Sequence, residues 1–213
     1  MSKDAYTYTS LPGTSGGPLA FLFHGTGGNE NQMLGLALDL LPGVAAISPR
    51  GDVSEHGAAR FFRRTGEGVY DMDDLTERTK KMAGFVKAHI KEAKPSSVIG
   101  IGFSNGANIL ASLLFAEPKL FDAAVLMHPL IPFEPEVKGS LAGKRILITA
   151  GHHDPICPPN LTARLDSYLR TDGADVTLEW HEGGHEMRQN EIVAARAFLA
   201  PYRPTANTAG ART

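Results

Sequence analysis

Ser104, Asp154 and His185 are the three residues of this chain whose types and order suit acyl transfer. A serine hydroxyl is a poor nucleophile until a base accepts its proton, and a histidine works better when a carboxylate fixes its tautomer and stabilises its cation. Ser104 sits in Gly102-Phe103-Ser104-Asn105-Gly106, after an apolar run and before an apolar helical segment. Strand, Gly-x-Ser-x-Gly and helix together describe a sharp turn that exposes its serine, with glycines where side chains would collide. A bare Gly-x-Ser-x-Gly is common by chance, so its flanks carry the weight.

Asp154 lies four residues beyond the apolar run 145–150, and His185 lies five beyond Trp180. In sheets of parallel strands, active residues gather at the carboxyl ends of strands, and both positions obey that rule. Asp122 and Asp175 precede their strands and belong at the opposite edge. His181 stands at a strand end without the glycine freedom that Gly183 and Gly184 lend His185, and His152 and His153 share a loop with Asp154. The reaction also needs amide donors for a developing oxyanion. Asn105, directly after the serine at a helix N-terminus, supplies one, and Thr26 or Gly27 in His24-Gly25-Thr26-Gly27-Gly28 fits the other.

The elements that must hold these residues alternate along the chain. Apolar runs at 19–23, 44–47, 98–101, 123–127, 145–150 and 176–180 read as strands, the last with the alternation of an outer strand. Helical spacing or apolar composition predicts helices over 29–41, with Asn29 as cap, and over 73–94, 107–116, 161–169 and 191–199. Strands alternating with helices imply a mostly parallel central sheet with helices on both faces. Residues 49–71 lack periodicity and form a long excursion of the kind that is usually functional. A single domain is expected over 1–203, with a disordered tail over 204–213.

With 213 residues, 42% hydrophobic and 21% charged, the chain has ordinary globular composition, and its net charge of -2 offers no field for nucleic acid or anionic lipid. No apolar stretch is long enough to span a membrane. The start of the chain has no signal-peptide core and the single Cys157 has no internal partner, so a cytoplasmic location is the expectation.

His181-Glu182-Gly183-Gly184-His185 matches the His-Glu-x-x-His pattern of zinc proteases, but that pattern converges on a metal only on a helix, which the glycine pair opposes. No metal and no cofactor is expected. Gly100-x-Gly102-x-x-Asn105 lacks the third glycine of a dinucleotide fingerprint, and Arg50-Gly51-Asp52 reads as a strand-end turn. Cys157, beside two prolines, reads as a loop residue near the site. Phe61, Phe62, Ile131, Pro132 and Met187 are expected to line a pocket for small or medium apolar acyl groups, on loop position alone.

From residue 19 to 199 the chain resembles the phospholipase and carboxylesterase family of α/β-hydrolases, whose relatives include acyl-protein thioesterases. Phe23-His24-Gly25-Thr26-Gly27-Gly28-Asn29-Glu30, Ser48-Pro49-Arg50-Gly51, Arg60-Phe61-Phe62-Arg63-Arg64 and Gly102-Phe103-Ser104-Asn105-Gly106-Ala107-Asn108 are similar to a bacterial branch of hydrolases linked to quinone or copper stress. The resemblance implies Ser104 as nucleophile, Asp154 and His185 as its partners, and the amides of Thr26 and Asn105 as oxyanion donors. It also implies a small α/β-hydrolase fold without a large cap, acting on a short-chain, small-molecule ester. Thioesterase relatives carry Gln where this chain has Asn105. Alternatives are an acyl-thioesterase or phospholipase-like hydrolase, or a non-catalytic protein of the same fold that holds a small ligand. A homodimer is expected from base rates only.

Overall fold

Residues 2–204 are described by the structure, a computed structural model. The expected tail lies outside the described residues except for Pro204. Among the described residues seven strands form the central sheet: β1 (Tyr8–Leu11), β2 (Leu19–Phe23), β3 (Ala45–Pro49), β8 (Val98–Phe103), β9 (Ala123–Met127), β10 (Arg145–Gly151) and β11 (Asp175–His181). Their spatial order is β1-β3-β2-β8-β9-β10-β11, and every pairing is parallel except that of β1 with β3. The four short strands numbered between, β4 (Val53–Glu55), β5 (Ala58–Arg60), β6 (Arg64–Gly66) and β7 (Val69–Tyr70), form two hairpins outside the sheet.

Strands β2 and β9 are buried at every position because helices cover both faces. On one face α2 (Met72–Ala93), α3 (Asn105–Ala116) and α4 (Pro159–Thr171) close a core around Phe21, Phe85, Leu110, Phe121, Ile146 and Leu169. On the other, α1 (Leu34–Leu40) and α5 (Gln189–Leu199) pack on Leu22, Ile99, Val125 and Leu147. Among the described residues no large cap stands over the carboxyl ends of the strands. Among the described residues no helix is long and apolar enough to cross a membrane.

Three expectations change. The helix predicted over 29–41 starts only at Leu34, because the polar residues before it bond locally: Asn29 Oδ1 accepts from the Asn31 amide at 2.9 Å and Gln32 Oε1 from the Gly25 amide at 3.2 Å. The excursion 49–71 is not a plain loop but the two hairpins. Strand β1 escaped detection because Tyr8-Thr9-Ser10-Leu11 is half polar, as suits an edge strand exposed along one side.

Candidate active site

The serine turn is built as the motif requires. Ser104 directly follows β8 and stands at the N-cap of α3 with φ 52° and ψ −118°, a conformation that costs a non-glycine residue about 1–3 kcal/mol. Its amide donates to the Met127 carbonyl at 2.8 Å, which fixes the turn to β9. A Cβ on Gly102 would lie 2.5 Å from the Gly106 oxygen, and one on Gly106 only 2.0 Å from the Phe23 oxygen. Backbone crowding on both sides of the serine thus excludes larger residues.

Asp154 and His185 lie beyond the carboxyl ends of β10 and β11 and come together with Ser104. His185 Nε2 stands 2.8 Å from Ser104 Oγ, and His185 Nδ1 stands 2.7 Å from Asp154 Oδ2. With the Nδ1 proton committed to the carboxylate, Nε2 presents its lone pair to the hydroxyl. The other oxygen of Asp154 accepts the amides of Ile156 at 2.8 Å and Cys157 at 2.9 Å. Burial alone would raise the Asp154 pKa; those amides and the rings of His128 and His185 outweigh it and hold the carboxyl below its ordinary value.

The early glycine-rich loop approaches from β2. His24 at its start is fully buried and neutral, its pKa lowered by burial. Its Nδ1–H donates to the Gly25 carbonyl at 2.7 Å and its Nε2 accepts the Gly51 amide at 2.9 Å. The first hairpin distinguishes Thr26 from Gly27: the Gly27 amide already donates to the Ala59 carbonyl of β5 at 2.9 Å. Among the described residues the amides of Thr26 and Asn105 have no protein acceptor, and both residues border the cleft at Ser104. Arg60 Nη1 donates to Thr26 Oγ1 at 2.8 Å and steadies that corner. The Asn105 side chain ties this turn to the segment opposite, its Oδ1 accepting the Phe61 amide at 2.8 Å.

The cleft over Ser104 has a volume of about 300 Å³. The expected wall of Phe61, Phe62, Ile131, Pro132 and Met187 is not its lining. Phe61 and Phe62 turn into the core, where Phe61 packs edge-on against Phe23 and Phe62 against Tyr70. Ile131 is buried beside Phe133 and Tyr168, and Met187 is exposed. The wall is instead Arg60, Arg64, Glu67, Tyr70, Asn108 and Ile156, with Leu130 and Cys157 deeper. It is more polar than expected because the chain bends between β5 and β6 so that both Phe61 and Phe62 turn inward, which leaves Arg60 and Arg64 bordering the cleft. Tyr70 donates to the Leu130 carbonyl at 2.6 Å and accepts from Asn108 Nδ2 at 2.8 Å, fastening the second hairpin across the cleft floor. Cys157 is buried, its thiol pKa raised by burial, and its Sγ–H donates to the His128 carbonyl at 3.2 Å.

The His-Glu-x-x-His pattern is not on a helix: His181 ends β11, Glu182 is exposed, and His185 occupies the following loop. Among the described residues, His128, His181 and Glu191 lie close enough to share an ion. Their hydrogens oppose it. The Gly183 amide donates to His181 Nδ1 at 2.9 Å, so the ring proton is on Nε2, which faces Glu191 Oε2 at 3.3 Å as a donor and has no lone pair for a metal. Sequence reasoning missed His128 and Glu191, both fully buried behind Asp154. The strand-end rule that found Asp154 also applies to His128, the first residue after β9.

A parallel sheet flanked by helices, with Ser104 on a strained strand-to-helix turn and an acid and a base beyond later strands, defines an α/β-hydrolase. Residues 53–209 match the sequence model of the Dienelactone hydrolase family, and the chain belongs to that family. MhqD of Bacillus subtilis is 40% identical over 188 residues, spanning 87% of this chain and 94% of that protein. Among solved structures, Atu2452 of Agrobacterium tumefaciens superposes with a TM-score of 0.90 at 58% identity, over 95% of this chain and 99% of that one. The Bacillus cereus carboxylesterase superposes with a TM-score of 0.88 at 38% identity, over 92% and 94%. These relatives agree with the resemblance read from the motifs, and the chain is a hydrolase of this type.

Proposed function

We propose that the protein is a serine esterase that cleaves small or short-chain acyl esters through Ser104, His185 and Asp154. The observation that carries this reading is the continuous hydrogen-bonded path from Ser104 Oγ to His185 at 2.8 Å and on to Asp154 at 2.7 Å, open to a cleft. His185 Nε2 takes the Ser104 proton as the oxygen attacks the ester carbonyl, and Asp154 stabilises the imidazolium. The oxyanion forms against the amides of Thr26 and Asn105, each worth about 10²–10³ in turnover in comparable sites. His185 then returns the proton to the leaving alkoxide, and an acyl-enzyme remains. Water, deprotonated by the same nitrogen, attacks it and releases the acid.

A cleft of about 300 Å³ limits the acyl part to a short chain, and Arg60 and Arg64 favour polar or anionic groups over long alkyl tails. The carboxylesterase similarity supports ester cleavage. The site needs no cofactor for these steps, and a cytoplasmic enzyme acting on a small-molecule ester, without nucleic-acid or membrane partners and with a homodimer as its assembly, is the matching proposal. Hydrolysis of p-nitrophenyl acetate and butyrate by wild type and Ser104→Ala tests it. The kcat of the variant is expected to fall by a factor on the order of 10⁶; a variant with wild-type turnover would overturn the assignment.

A further inference from the structure

The hydrogen-bonded chain does not stop at Asp154. Its Oδ2 accepts from two imidazoles at once, His185 Nδ1 at 2.7 Å and His128 Nδ1 at 2.8 Å. On its far side the His128 ring presents Nε2 to Glu191 Oε1 at 3.1 Å. Side chains of Asp154, His128 and Glu191 are all fully buried, so a carboxylate, an imidazole and a second carboxylate are stacked in line inside the protein.

Proton positions follow from the surroundings. Glu191 accepts the Thr149 hydroxyl at 2.5 Å and the Arg188 amide at 2.6 Å, with His181 Nε2–H at 3.3 Å, which marks it as an ionised acceptor. A neutral His128 that donates to Asp154 would turn a lone pair toward a Glu191 oxygen, a repulsive contact. A protonated His128 donates at both ends. The remaining titratable groups facing it are His181, with Nε2 at 3.4 Å and its proton pointing toward Glu191, His185, and the undissociated thiol of Cys157. Burial alone would lower the His128 pKa; the two carboxylates outweigh it and raise it, while both carboxylates are held low. His128 also keeps a left-handed backbone, φ 51°, locked by its amide on the Thr149 carbonyl at 2.8 Å. Such strain in a bulky residue persists where the surroundings over-determine it.

We propose that His128 and Glu191 are positioning residues of the reaction: Glu191 holds His128 as a buried imidazolium, and His128 fixes Asp154 Oδ2 beneath His185. This rests on the reading of Ser104, His185 and Asp154 as the reacting groups. Glu191, His128 and Asp154 together carry one negative charge, the same as a lone carboxylate, so the unit still stabilises the His185 cation. By sharing Asp154, the His128 cation also prevents His185 from being trapped as a permanent ion pair, leaving its Nε2 free to accept the serine proton.

The charge of His128 is read without substrate, by ¹⁵N NMR of histidine-labelled wild-type protein between pH 6 and 9. Both ring nitrogens of His128 are expected to remain N–H at neutral pH. In Glu191→Gln, which keeps the shape and removes the charge, the His128 titration is expected to move down by about one unit or more. Its kcat on the short ester is expected to fall about 10-fold or more, toward the ~10²-fold cost of a 1 Å misplacement, with KM unchanged. A His128 that is neutral in wild type at pH 7, accepting from His181, overturns the proposal, as does a Glu191→Gln protein with wild-type kcat and His128 titration. If that variant fails to fold, the wild-type spectrum decides alone. The spectrum requires no turnover: an inactive Ser104 assignment would fail in the ester assay and leave the His128 signal in place.

Discussion

Gly106→Ala sets two effects of opposite sign against each other. Gly106 is the second residue of α3, where alanine is the better helix former by about 1 kcal/mol. The added Cβ would lie 2.0 Å from the Phe23 oxygen, 2.4 Å from its carbonyl carbon and 2.6 Å from the His24 oxygen. Real Cβ contacts stay above 3.0 Å, so the backbones must separate by the difference between 2.0 and 3.0 Å, about 1 Å, even for the closest tolerable fit. Phe23 ends the central strand β2, held between β3 and β8, and α3 must do the moving. Overpacking of this kind costs about 1–3 kcal/mol when side chains can adjust, and backbone on both sides places this case at the upper end. The net loss is about 2 kcal/mol after the helix gain, or roughly 4–8 °C in Tm for a chain of this size. The displaced Ser104 and Asn105 amide should lower kcat by about 10²-fold. Thermal melting and p-nitrophenyl butyrate hydrolysis measure the two. A variant that melts at or above the wild-type temperature with wild-type kcat would refute the steric account. Gly100→Ala is the internal comparison: its Cβ meets Leu110 Cδ1 at 2.4 Å, the mobile end of a side chain, so the loss should be smaller and turnover little changed.

Stability should peak between the ranges of the buried groups. His128 binds its proton more tightly when folded, so its contribution is complete below its ordinary value of 6.5 and is lost as pH rises through its higher folded value. Asp154 and Glu191 are depressed, so theirs is complete above their ordinary values of 3.8 and 4.5 and is lost as pH falls. Melting temperatures that stay flat from pH 6.5 to 9 would contradict the His128 part. Iodoacetamide at pH 8 should modify Cys157 far more slowly than a free thiol reagent control, because the group is 1% exposed and its pKa is raised by burial; rapid labelling in mass spectra would count against this. Tyr70→Phe removes the phenol between Asn108 and Leu130 and strands their buried polar atoms, for a loss of about 2 kcal/mol in denaturant melts. A midpoint equal to wild type would show that the link contributes nothing.

Much of the site is legible in the sequence because each residue proposed to react follows an apolar run, and strand ends in a parallel sheet converge. Ser104, Asp154 and His185 obey that rule and lie within hydrogen-bond distance. The glycines around Ser104 are read from the same local crowding that the backbone distances display. What stays hidden depends on contacts distant in sequence. Whether Thr26 or Gly27 keeps a free amide is set by Ala59, on a hairpin whose strands are too short and polar for periodicity to reveal. Phe61 and Phe62 look like pocket wall from their loop, yet burial of large apolar area draws them inward and leaves Arg60 and Arg64 at the cleft. Glu191 sits at the third position of a helix and reads as an ordinary helix-start residue. Only the packing of α5 beneath β10 puts it against His128.

The segment from 49 to 71 is stitched to the proposed reaction centre at several places, among them Gly51 to His24, Ala59 to Gly27, Arg60 to Thr26, and Phe61 to Asn105. The residues that border the cleft and the loop that offers the Thr26 amide therefore behave as one mechanical piece. Transplanting the two hairpins from a relative to alter acyl preference would loosen the oxyanion corner unless residues 24, 27 and 105 travel with them. Substrate range in such a scaffold would then change in linked blocks rather than one wall residue at a time.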